Sequence, residues 1–184
     1  MAQSRAHSLV GFSEGRPADD FYVTPREAVE ALLQVESFDG IIWEPACGDG
    51  AISKVLEETG HSVISSDLID RGYGATGVDF LTTMEFVDHV ITNPPFRYAE
   101  EFVDQALSST SGKVAMLFKL HFLGGRKRKA MFARTPLKKV YVFSWRIKMA
   151  RNGDSEKYKN GSMLTFAWFV WDHSYEGEPT IGWL

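Results

Sequence analysis

The sequence is poor in the residues that build disulfide or metal frameworks. It has one cysteine, Cys47, which has no partner for an internal disulfide, and its five histidines are scattered without the spacing of zinc ligands. No run of about 18 apolar residues is present to span a bilayer, and residues 1–20 lack the apolar stretch of a secretory signal. We therefore expect no metal, no membrane segment and a cytoplasmic location.

The rest of the composition is that of an ordinary globular protein. The chain has 184 residues, of which 44% are hydrophobic and 24% are charged, which is enough for one well-buried core and short for two. The first 19 residues are small, polar and aperiodic. We predict a flexible arm over 1–19 and a single domain over 20–184.

Charge is distributed unevenly along the chain. Residues 1–112 contain six Lys or Arg and 19 Asp or Glu, whereas residues 113–184 contain 14 and five. A basic C-terminal portion suggests a surface for an anionic polymer, although segments that are distant in sequence can fold together and neutralise one another. Nucleic acid is one partner that fits such a surface.

Apolar runs alternate with helical periodicities along most of the chain. Strands are predicted at 41–43, 61–66, 77–80, 87–92, 113–119, 139–143 and 163–171, and helices at about 25–35, 52–60, 99–106 and 127–134. This alternation predicts an α/β domain with a mostly parallel seven-stranded sheet covered on both faces. Because no helix separates the last two strands, we expect them to form an antiparallel hairpin.

The first helix has a recognisable start. Thr24 is placed as its N-cap, Pro25 as its first helical residue and Glu27 as the partner that completes a capping box. The helical spacing predicts a buried side made of Ala28, Val29, Leu32 and Leu33.

Polar residues and glycines follow four of the predicted strands. Glu44 and a loop with Gly48 and Gly50 follow the first, and Asp67, Asp79 and Asn93 follow the next three. In open α/β sheets, ligands bind at the carboxyl ends of the strands. We therefore expect these four strand ends to form one site, although Asp67 is also explained as a helix cap and Asp79 as a turn residue.

The loop between Glu44 and Gly50 allows a ligand to approach the backbone closely. Glycine has no side chain to obstruct the approach, and the loop leads into a helix N-terminus that favours an anionic group. Asp67 lies where dinucleotide-binding folds place an acid on ribose hydroxyls, but the loop lacks the full glycine spacing of that fingerprint. An adenosine-bearing cofactor with a carboxylate fits better than NAD. Cys47 is interpreted as a small residue that fills a tight loop.

Taken in order, these motifs resemble a known family. They are Tyr22-Val23-Thr24-Pro25 before a helix, Glu44-Pro45-Ala46-Cys47-Gly48-Asp49-Gly50, Asp67, Asp79-Phe80 and Asn93-Pro94-Pro95-Phe96. The sequence resembles the amino-methyltransferases of DNA, and the motif order resembles their gamma group, which methylates N6 of adenine. The resemblance covers roughly residues 20–173 and implies a single Rossmann-like class I methyltransferase domain.

The resemblance implies S-adenosylmethionine as the cofactor and assigns residues to it. Asp67, with Leu68 beside it, would take the ribose hydroxyls, and Asp79 with Phe80 would take the adenine ring. The methionine end would lie against Glu44 and the backbone of Ala46, Cys47 and Gly48, with Tyr22 and Thr24 closing over it. Asn93 would also line the cofactor site. Thr24 is thus either an N-cap or a cofactor contact.

The same resemblance gives the Asn-Pro-Pro-Phe stretch the catalytic role. The two prolines would hold the backbone so that the side-chain oxygen of Asn93 and the carbonyl of Pro94 both accept hydrogens from one amino nitrogen. Pro95 completes the rigid stretch, and Phe96 would stack on a base swung out of the DNA helix.

Two basic stretches are candidate nucleic-acid contacts. The first is Arg126, Lys127, Arg128 and Lys129 at the start of a helix, where a solvated helix face is the alternative explanation. The second lies in 144–162, where Arg146, Lys148 and Arg151 could hold phosphates while Trp145 stacks on a base, and a hairpin loop without a role is the alternative.

One departure from the family and several alternatives remain. Sequence-specific members add a target-recognition domain, and residues 172–184 leave no room for one, so we expect a short or loose sequence preference set by the 144–162 loop, the arm or a second subunit. Small stand-alone enzymes of this kind resemble those of phages and bacterial mobile elements. The alternatives are an RNA amino-methyltransferase, an N4-cytosine DNA enzyme and a non-catalytic nucleic-acid-binding module.

Overall fold

The computed structural model describes residues 21–151 and 164–184, with only the backbone of Ala150 and Arg151. The predicted arm at 1–19 and the part of the basic stretch at 152–162 lie outside the described residues.

One eight-stranded sheet forms the centre of the domain. Its strands are β2 (Ile41–Glu44), β3 (Ser62–Asp67), β4 (Ala75–Thr76), β5 (His89–Thr92), β6 (Lys113–Lys119), β7 (Leu137–Val142), β9 (Phe166–Asp172) and β10 (Thr180–Trp183). The spatial order is β10-β7-β9-β6-β5-β2-β3-β4. All neighbours pair in parallel except β9, which runs antiparallel to β6 and β7. The predicted α/β class and the antiparallel C-terminal strands are confirmed.

A separate two-stranded sheet lies outside this order. Its strands are β1 (Tyr22–Val23) and β8 (Ala150–Arg151), which pair antiparallel. The sequence pattern did not predict either strand, because two residues are too few to show a period.

In the described residues, four α-helices cover the two faces of the central sheet. They are α1 (Arg26–Leu33), α2 (Ala51–Glu58), α3 (Ala99–Ser108) and α4 (Arg126–Arg134). One buried cluster contains the apolar residues of α1 and α2, and the other contains those of α3 and Met131 of α4. Strand β9 is buried along its whole length, as expected of a strand covered on both faces.

The strand order reverses between β2 and β5. The chain proceeds from β2 through β3 to β4 on one side and then returns to place β5 on the other side of β2. Glu44 ends β2, and Asn93 follows β5, so these two residues lie on either side of the reversal. A crevice at such a switch point is the ordinary ligand site of this architecture.

Four sequence-based predictions are corrected by the structure. The third strand is β4 at Ala75–Thr76, and the predicted 77–80 is irregular, because Gly77 has a φ of +74° and turns the chain. The sheet has eight strands because β10 adds to its edge. Helix α1 begins after Pro25 with no side-chain cap, so the capping box of Thr24 and Glu27 is wrong. On its buried side Ala31 takes the place of Leu33, which is partly buried.

Candidate active site

A cavity of about 290 Å³ opens at the switch point between β2 and β5. Its walls include all eleven residues that the sequence assigned to a cofactor, which are Tyr22, Thr24, Glu44, Ala46, Cys47, Gly48, Asp67, Leu68, Asp79, Phe80 and Asn93. Residues separated by more than 70 positions in the chain therefore meet in one crevice. We refer to it below as the main cavity.

The glycine loop forms one wall of the main cavity and needs its glycines. Gly48 has a φ of +57°, and a Cβ there would lie 2.5 Å from a ring carbon of Phe21. Gly50, with a φ of +82°, immediately precedes α2, and a Cβ there would meet the ring of Tyr73. Any other residue would therefore combine a disfavoured backbone conformation with a steric clash.

Glu44 is a buried carboxyl group that is tied to the start of α2. Its Oε2 accepts the backbone N–H of Ser53 at 2.8 Å and also the Ser53 hydroxyl. Burial raises the pKa of Glu44 well above its usual range, and the two hydrogen bonds from Ser53 offset only part of that rise. Glu44 thus braces the loop against the helix as well as lining the cavity.

Asp49 carries a buried oxygen that suits a cationic ligand group. In the described part of the chain, its Oδ1 is buried and has no hydrogen-bond partner. Asp49 lines the main cavity between the two glycines of the loop. An unpartnered buried carboxylate oxygen is costly, so it indicates a missing donor, and the ammonium group of an amino-acid ligand would supply one. The sequence analysis gave Asp49 no role, although its place between Gly48 and Gly50 put it in the loop predicted to contact a ligand.

Asp67 links the end of β3 to the glycine loop. Its Oδ2 accepts the backbone N–H of Gly48 and its Oδ1 accepts that of Ile69, each at 2.8 Å. A carboxylate oxygen has two lone pairs, so each oxygen retains capacity for one further donor. The residue therefore fixes the loop, and the predicted contact with ribose hydroxyls is compatible with this geometry.

The far end of the main cavity combines one turn and several apolar side chains. Asp79 Oδ1 accepts the backbone N–H of Leu81 at 3.0 Å, so Asp79 does form the turn that was the alternative explanation for it. Phe80 is buried against Trp43 with a ring-centroid distance of 5.0 Å, while Leu68 is 60% exposed at the rim. This end is suited to a flat apolar ring with a polar edge.

Cys47 is a structural residue of the loop. Its side chain is buried, and burial together with the negative charges of Glu44 and Asp67 raises the pKa of its thiol to about 12. A thiol with so high a pKa is protonated at neutral pH and is a poor nucleophile. This agrees with its interpretation as a small residue that fills a tight loop.

Asn93 is oriented by the segment that precedes α1. Its Nδ2 donates to the carbonyl oxygen of Tyr22 and to Oγ1 of Thr24, both at 3.1 Å. Because the carbonyl of Tyr22 can only accept, the atom that faces it is the amide nitrogen. The amide oxygen of Asn93 is therefore on the opposite side of the group, and the residue lines the main cavity.

The rest of the Asn-Pro-Pro-Phe stretch divides between two cavities. Pro95 lines the main cavity, Phe96 lines a second cavity of about 210 Å³, and Pro94 is buried and lines neither. Arg97 lines both cavities and so marks where they adjoin.

The second cavity is aromatic and basic. It is lined by Phe96, Arg97, Ala99, Phe118, Lys119, His121, Phe122 and Arg128. The ammonium group of Lys119 lies 4.5 Å from the ring centroid of Phe96. Burial, followed by the positive charges of Lys119 and Arg128, lowers the pKa of His121, so its ring is neutral at neutral pH.

The predicted basic residues of α4 differ in how they are engaged. Arg126, Lys127 and Lys129 are exposed. Arg128 instead donates to the carbonyl oxygens of His121 and Gly124 and forms an ion pair with Glu100 at 3.4 Å. A side chain held in this way is less available to a phosphate. Arg128 is therefore a weaker candidate for a DNA contact than Arg126, Lys127 and Lys129.

The second predicted basic stretch runs alongside β1. Ile147 and Met149 are buried, whereas Arg146 and Lys148 between them are exposed. Trp145 is 40% exposed and meets Phe143 edge to face at 5.2 Å. The described part of the stretch ends in β8, whose pairing with β1 brings it to Tyr22 and hence to the rim of the main cavity. The side chain of Arg151 lies outside the described residues.

Other basic residues of the C-terminal part are neutralised within the fold. Lys113 pairs with Glu36 at 2.6 Å, Lys138 with Asp172 at 3.1 Å and Arg134 with Asp104 at 2.7 Å. Folding therefore partly cancels the uneven charge along the sequence. In the described part of residues 113–184, the exposed cations outside these ion pairs are Arg126, Lys127 and Lys129 at the start of α4 and Arg146 and Lys148 before β8.

Besides Asp49, Phe21 and Arg71 are residues of the main cavity that the sequence did not predict. Phe21 lies over Gly48, and the guanidinium carbon of Arg71 lies 4.0 Å from its ring centroid. Neither residue belongs to a periodic pattern or a motif, so the sequence offered no signal for them.

Within the described ranges, no helix is both long enough and apolar enough to cross a membrane. Among the same residues, His, Cys, Asp and Glu side chains do not gather in groups of three or more that could hold a metal ion.

Comparison with known proteins gives a fold but no sequence relative. Neither a family model nor a curated protein matches the chain. In structure, it is similar to the modification subunit assigned to a type I restriction enzyme of Vibrio vulnificus, with a TM-score of 0.61 and 14% identity over 87% of this chain and 45% of that one. The chain thus spans less than half of that relative.

Two further structures resemble the chain over most of their own length. A protein of Pyrococcus horikoshii assigned as an RNA methyltransferase has a TM-score of 0.66 and 17% identity over 89% of this chain and 92% of that one. Magnesium protoporphyrin IX methyltransferase of Synechocystis, solved with bound S-adenosylmethionine, has a TM-score of 0.54 and 13% identity over 79% and 78%. The chain therefore has the Rossmann-like fold of methyltransferases that use S-adenosylmethionine.

Proposed function

We propose that the protein transfers a methyl group from S-adenosylmethionine to N6 of an adenine that is flipped out of DNA. One observation carries the proposal. The eleven residues that the motifs assigned to a cofactor line a single cavity, and Asn93 lies in that cavity next to a second, aromatic one. Amino-group methylation requires a cofactor site, a neighbouring site for a flat ring and an acceptor for the amine, and Asn93 would supply the acceptor.

The residues of the main cavity fit the parts of the proposed cofactor. The free oxygen of Asp49 would take its ammonium group, and the loop backbone at the start of α2 would take its carboxylate. Asp67 would hold the ribose hydroxyls with its remaining lone pairs, and Leu68, Phe80 and Asp79 would enclose the adenine ring. When bound, the cofactor supplies an electrophilic methyl group on a sulfonium.

Asn93 would prepare the amino group for attack. Its Oδ1 would accept one hydrogen of the target amine, which draws the nitrogen lone pair out of conjugation with the base. The motif gives the second hydrogen to the carbonyl of Pro94, which lines neither cavity in this structure and would have to become accessible to the amine. The amine nitrogen would then attack the methyl carbon, so that a C–N bond forms as the methyl–sulfur bond breaks and the neutral thioether leaves, and the nitrogen would afterwards release one proton to water. Fixed acceptors facing a developing positive charge lower the barrier by electrostatic preorganisation, which is worth about 3 to 4 kcal/mol per group in comparable sites.

The second cavity would receive the target base. Phe96 forms one wall and Phe122 another, so a flat ring can stack against aromatic surface. Lys119 and the neutral ring of His121 add hydrogen-bonding groups at the wall. The cavity adjoins the main cavity at Arg97, which keeps the base close to the methyl donor.

DNA would be held by the exposed cations near the two cavities. Arg126, Lys127 and Lys129 lie on the helix that also carries Arg128 of the second cavity, and Arg146 and Lys148 precede β8 beside the main cavity. We expect a short or loose sequence preference, with a second subunit as one way to extend it. The cytoplasm of a bacterial or phage-infected cell is the proposed location.

Methyl transfer to unmethylated DNA is the decisive test. Purified protein with tritiated S-adenosylmethionine should label DNA, and a nucleoside digest should contain N6-methyladenine rather than N4-methylcytosine. Asn93→Ala should abolish turnover while calorimetry shows that the cofactor still binds. Phe86→Ala, which alters an exposed ring that lines neither cavity, is the control. Full turnover by Asn93→Ala would refute this mechanism.

An RNA substrate is the second candidate. It is favoured by the similarity to the Pyrococcus horikoshii protein, which extends over nearly all of both chains. Labelling of structured RNA and DNA side by side separates the two, since stronger labelling of RNA would replace DNA as the substrate. Cofactor binding without transfer to either polymer would indicate a non-catalytic module.

A further inference from the structure

The amide group of Asn93 is fixed by two acceptors from one short stretch of chain. The carbonyl oxygen of Tyr22 and Oγ1 of Thr24 each lie 3.1 Å from its Nδ2. Thr24 is 4% exposed, so its hydroxyl is directed into the protein. The same hydroxyl makes no cap for α1, which begins without a side-chain cap.

These two acceptors favour one of the two possible orientations of the amide. A half turn about the last side-chain bond would exchange the nitrogen and oxygen of Asn93. In the reversed orientation the amide oxygen would face the carbonyl oxygen of Tyr22, which cannot donate a hydrogen bond. It would also turn the NH2 group toward the space where the mechanism needs an acceptor.

We propose that Thr24 is a positioning residue for methyl transfer. Its hydroxyl, together with the carbonyl of Tyr22, occupies both hydrogens of the Asn93 amide, and this holds Oδ1 ready to accept from the target amine. The proposal rests on the proposed function. It gives Thr24 a role other than the helix cap or the cofactor contact that its sequence position suggested.

The stretch that carries these acceptors is itself anchored. Tyr22 pairs with Arg151 and Val23 with Ala150 in the two-stranded sheet of β1 and β8. Before β8, the side chains of Ile147 and Met149 are buried in the core. The orientation of Asn93 is therefore supported by the segment that also carries the exposed Arg146 and Lys148.

The role of Thr24 is tested by removing its hydroxyl without changing its shape. Thr24→Val should lower kcat by about tenfold or more, because loss of one of two fixed contacts lets the acceptor move out of position. The KM for DNA and the Kd for S-adenosylmethionine should change by less than about twofold, since neither depends on the amide. Thr24→Ser, which restores the hydroxyl, should recover kcat to within about threefold of wild type.

A second buried threonine provides the matched control. Thr110 is also 4% exposed, its Oγ1 donates to the carbonyl of Ala106 at 2.9 Å, and it lines neither cavity. Thr110→Val should lower thermal stability about as much as Thr24→Val and leave kcat unchanged. An equal loss of kcat in both variants would overturn the positioning role.

The side-chain amide of Asn93 gives a readout that does not depend on activity. Its two Nδ2 hydrogens can be assigned by NMR from the signals lost in Asn93→Ala. They should exchange faster with solvent in Thr24→Val than in wild type or Thr24→Ser, because one hydrogen loses its acceptor. Unchanged exchange together with unchanged kcat would overturn the proposal.

Two further outcomes separate this proposal from the proposed function. If Thr24→Val loses cofactor affinity but keeps kcat at saturating cofactor, Thr24 is a cofactor ligand and the positioning role is wrong. If the wild-type protein methylates neither DNA nor RNA, the proposed function fails, while the exchange of the Asn93 amide still decides whether Thr24 orients it.

Discussion

The carboxylate of Asp67 accepts the backbone amide of Gly48 at 2.8 Å, so the end of β3 holds the glycine loop that follows β2. The other carboxylate oxygen accepts the amide of Ile69 at 2.8 Å. One side chain therefore sets the relative positions of two walls of the main cavity, and both oxygens are needed as acceptors.

Asp67→Asn should weaken binding of S-adenosylmethionine. Asparagine has one acceptor oxygen, so its NH2 group must face one of two backbone donors, which costs about 1 to 3 kcal/mol and corresponds to a loss of affinity of roughly 5-fold to 150-fold. Isothermal titration calorimetry measures this loss.

The control for Asp67 is Asp70→Asn. Asp70 Oδ1 accepts the amide of Gly72 at 2.9 Å in an exposed turn, and Asp70 does not line the cavity. Asparagine keeps such a turn. Equal affinities for the two variants would contradict the bridging role of Asp67.

Gly48→Ala should destabilise the protein and weaken cofactor binding together. The new Cβ would lie 2.5 Å from the ring of Phe21, and the positive φ adds about 1 to 2 kcal/mol of backbone strain. Chemical denaturation gives the first effect and calorimetry the second. The double variant with Phe21→Ala should recover part of the stability, because it removes the clash but not the strain.

Gly60→Ala isolates the backbone contribution. Gly60 has a φ of +91° and no atom within 4 Å of the position of a new Cβ. This variant should lose stability through strain alone and retain cofactor affinity. A Gly48→Ala variant that behaves no worse than Gly60→Ala would show that close contact with Phe21 is unimportant.

Lys127→Ala combined with Lys129→Ala should weaken DNA binding in a salt-dependent way. Both side chains are exposed on α4. If each contacts one phosphate, the slope of log affinity against log salt should become shallower by about two. Fluorescence anisotropy at several salt concentrations measures that slope.

Arg134→Ala is the matched change on the same helix. Arg134 already pairs with Asp104 at 2.7 Å, so its loss should leave the salt dependence close to that of wild type. A slope that changes equally in all variants would indicate a general charge effect and not contact through α4.

His89 should make the protein less stable in mild acid. Its Nδ1 accepts the backbone N–H of Lys113 at 2.9 Å, and its Nε2 donates to the carbonyl of Asp39 at 3.0 Å, so the folded state holds the neutral ring. Burial lowers the pKa of His89 in the folded protein. As pH falls below roughly 6.5, the unfolded chain takes up a proton that the folded chain resists, and the free energy of unfolding decreases.

The measurement is the slope of unfolding free energy between about pH 7 and pH 5. His89→Gln keeps a donor and an acceptor but does not titrate, so its slope should be smaller than that of wild type. Equal slopes would mean that other groups cause the acid sensitivity.

Much of the fold could be predicted because the strong signals are local. Strand β6 lies at the predicted residues, since a continuous apolar run records burial on both faces. The short strands β4 and β10 were misplaced or missed. β4 has two residues, and in β10 Gly182 stands between the exposed Ile181 and Trp183, so no burial pattern marks either strand.

The candidate site also contains some residues that the local sequence predicted and others that it did not. Glu44, Asp67 and Asn93 could be expected together, because parallel strands bring their carboxyl ends to one edge. Phe21 and Arg71 could not, because they belong to irregular segments whose path depends on packing. The hydrogen bond between Thr24 and Asn93 was not predicted for another reason. The local sequence suggested that Thr24 caps a helix, and that explanation was incorrect.

The α/β class, the glycine loop and the identity of the groups at the strand ends could be read from the amino-acid sequence, because apolar periodicity and residue chemistry are properties of short segments. The folded chain was needed to show which way the amide of Asn93 is turned, which oxygen of Asp49 lacks a partner and which cations of α4 are already paired. Those outcomes depend on atoms supplied by distant parts of the chain, and their positions are fixed only when the sheet and its helices pack together.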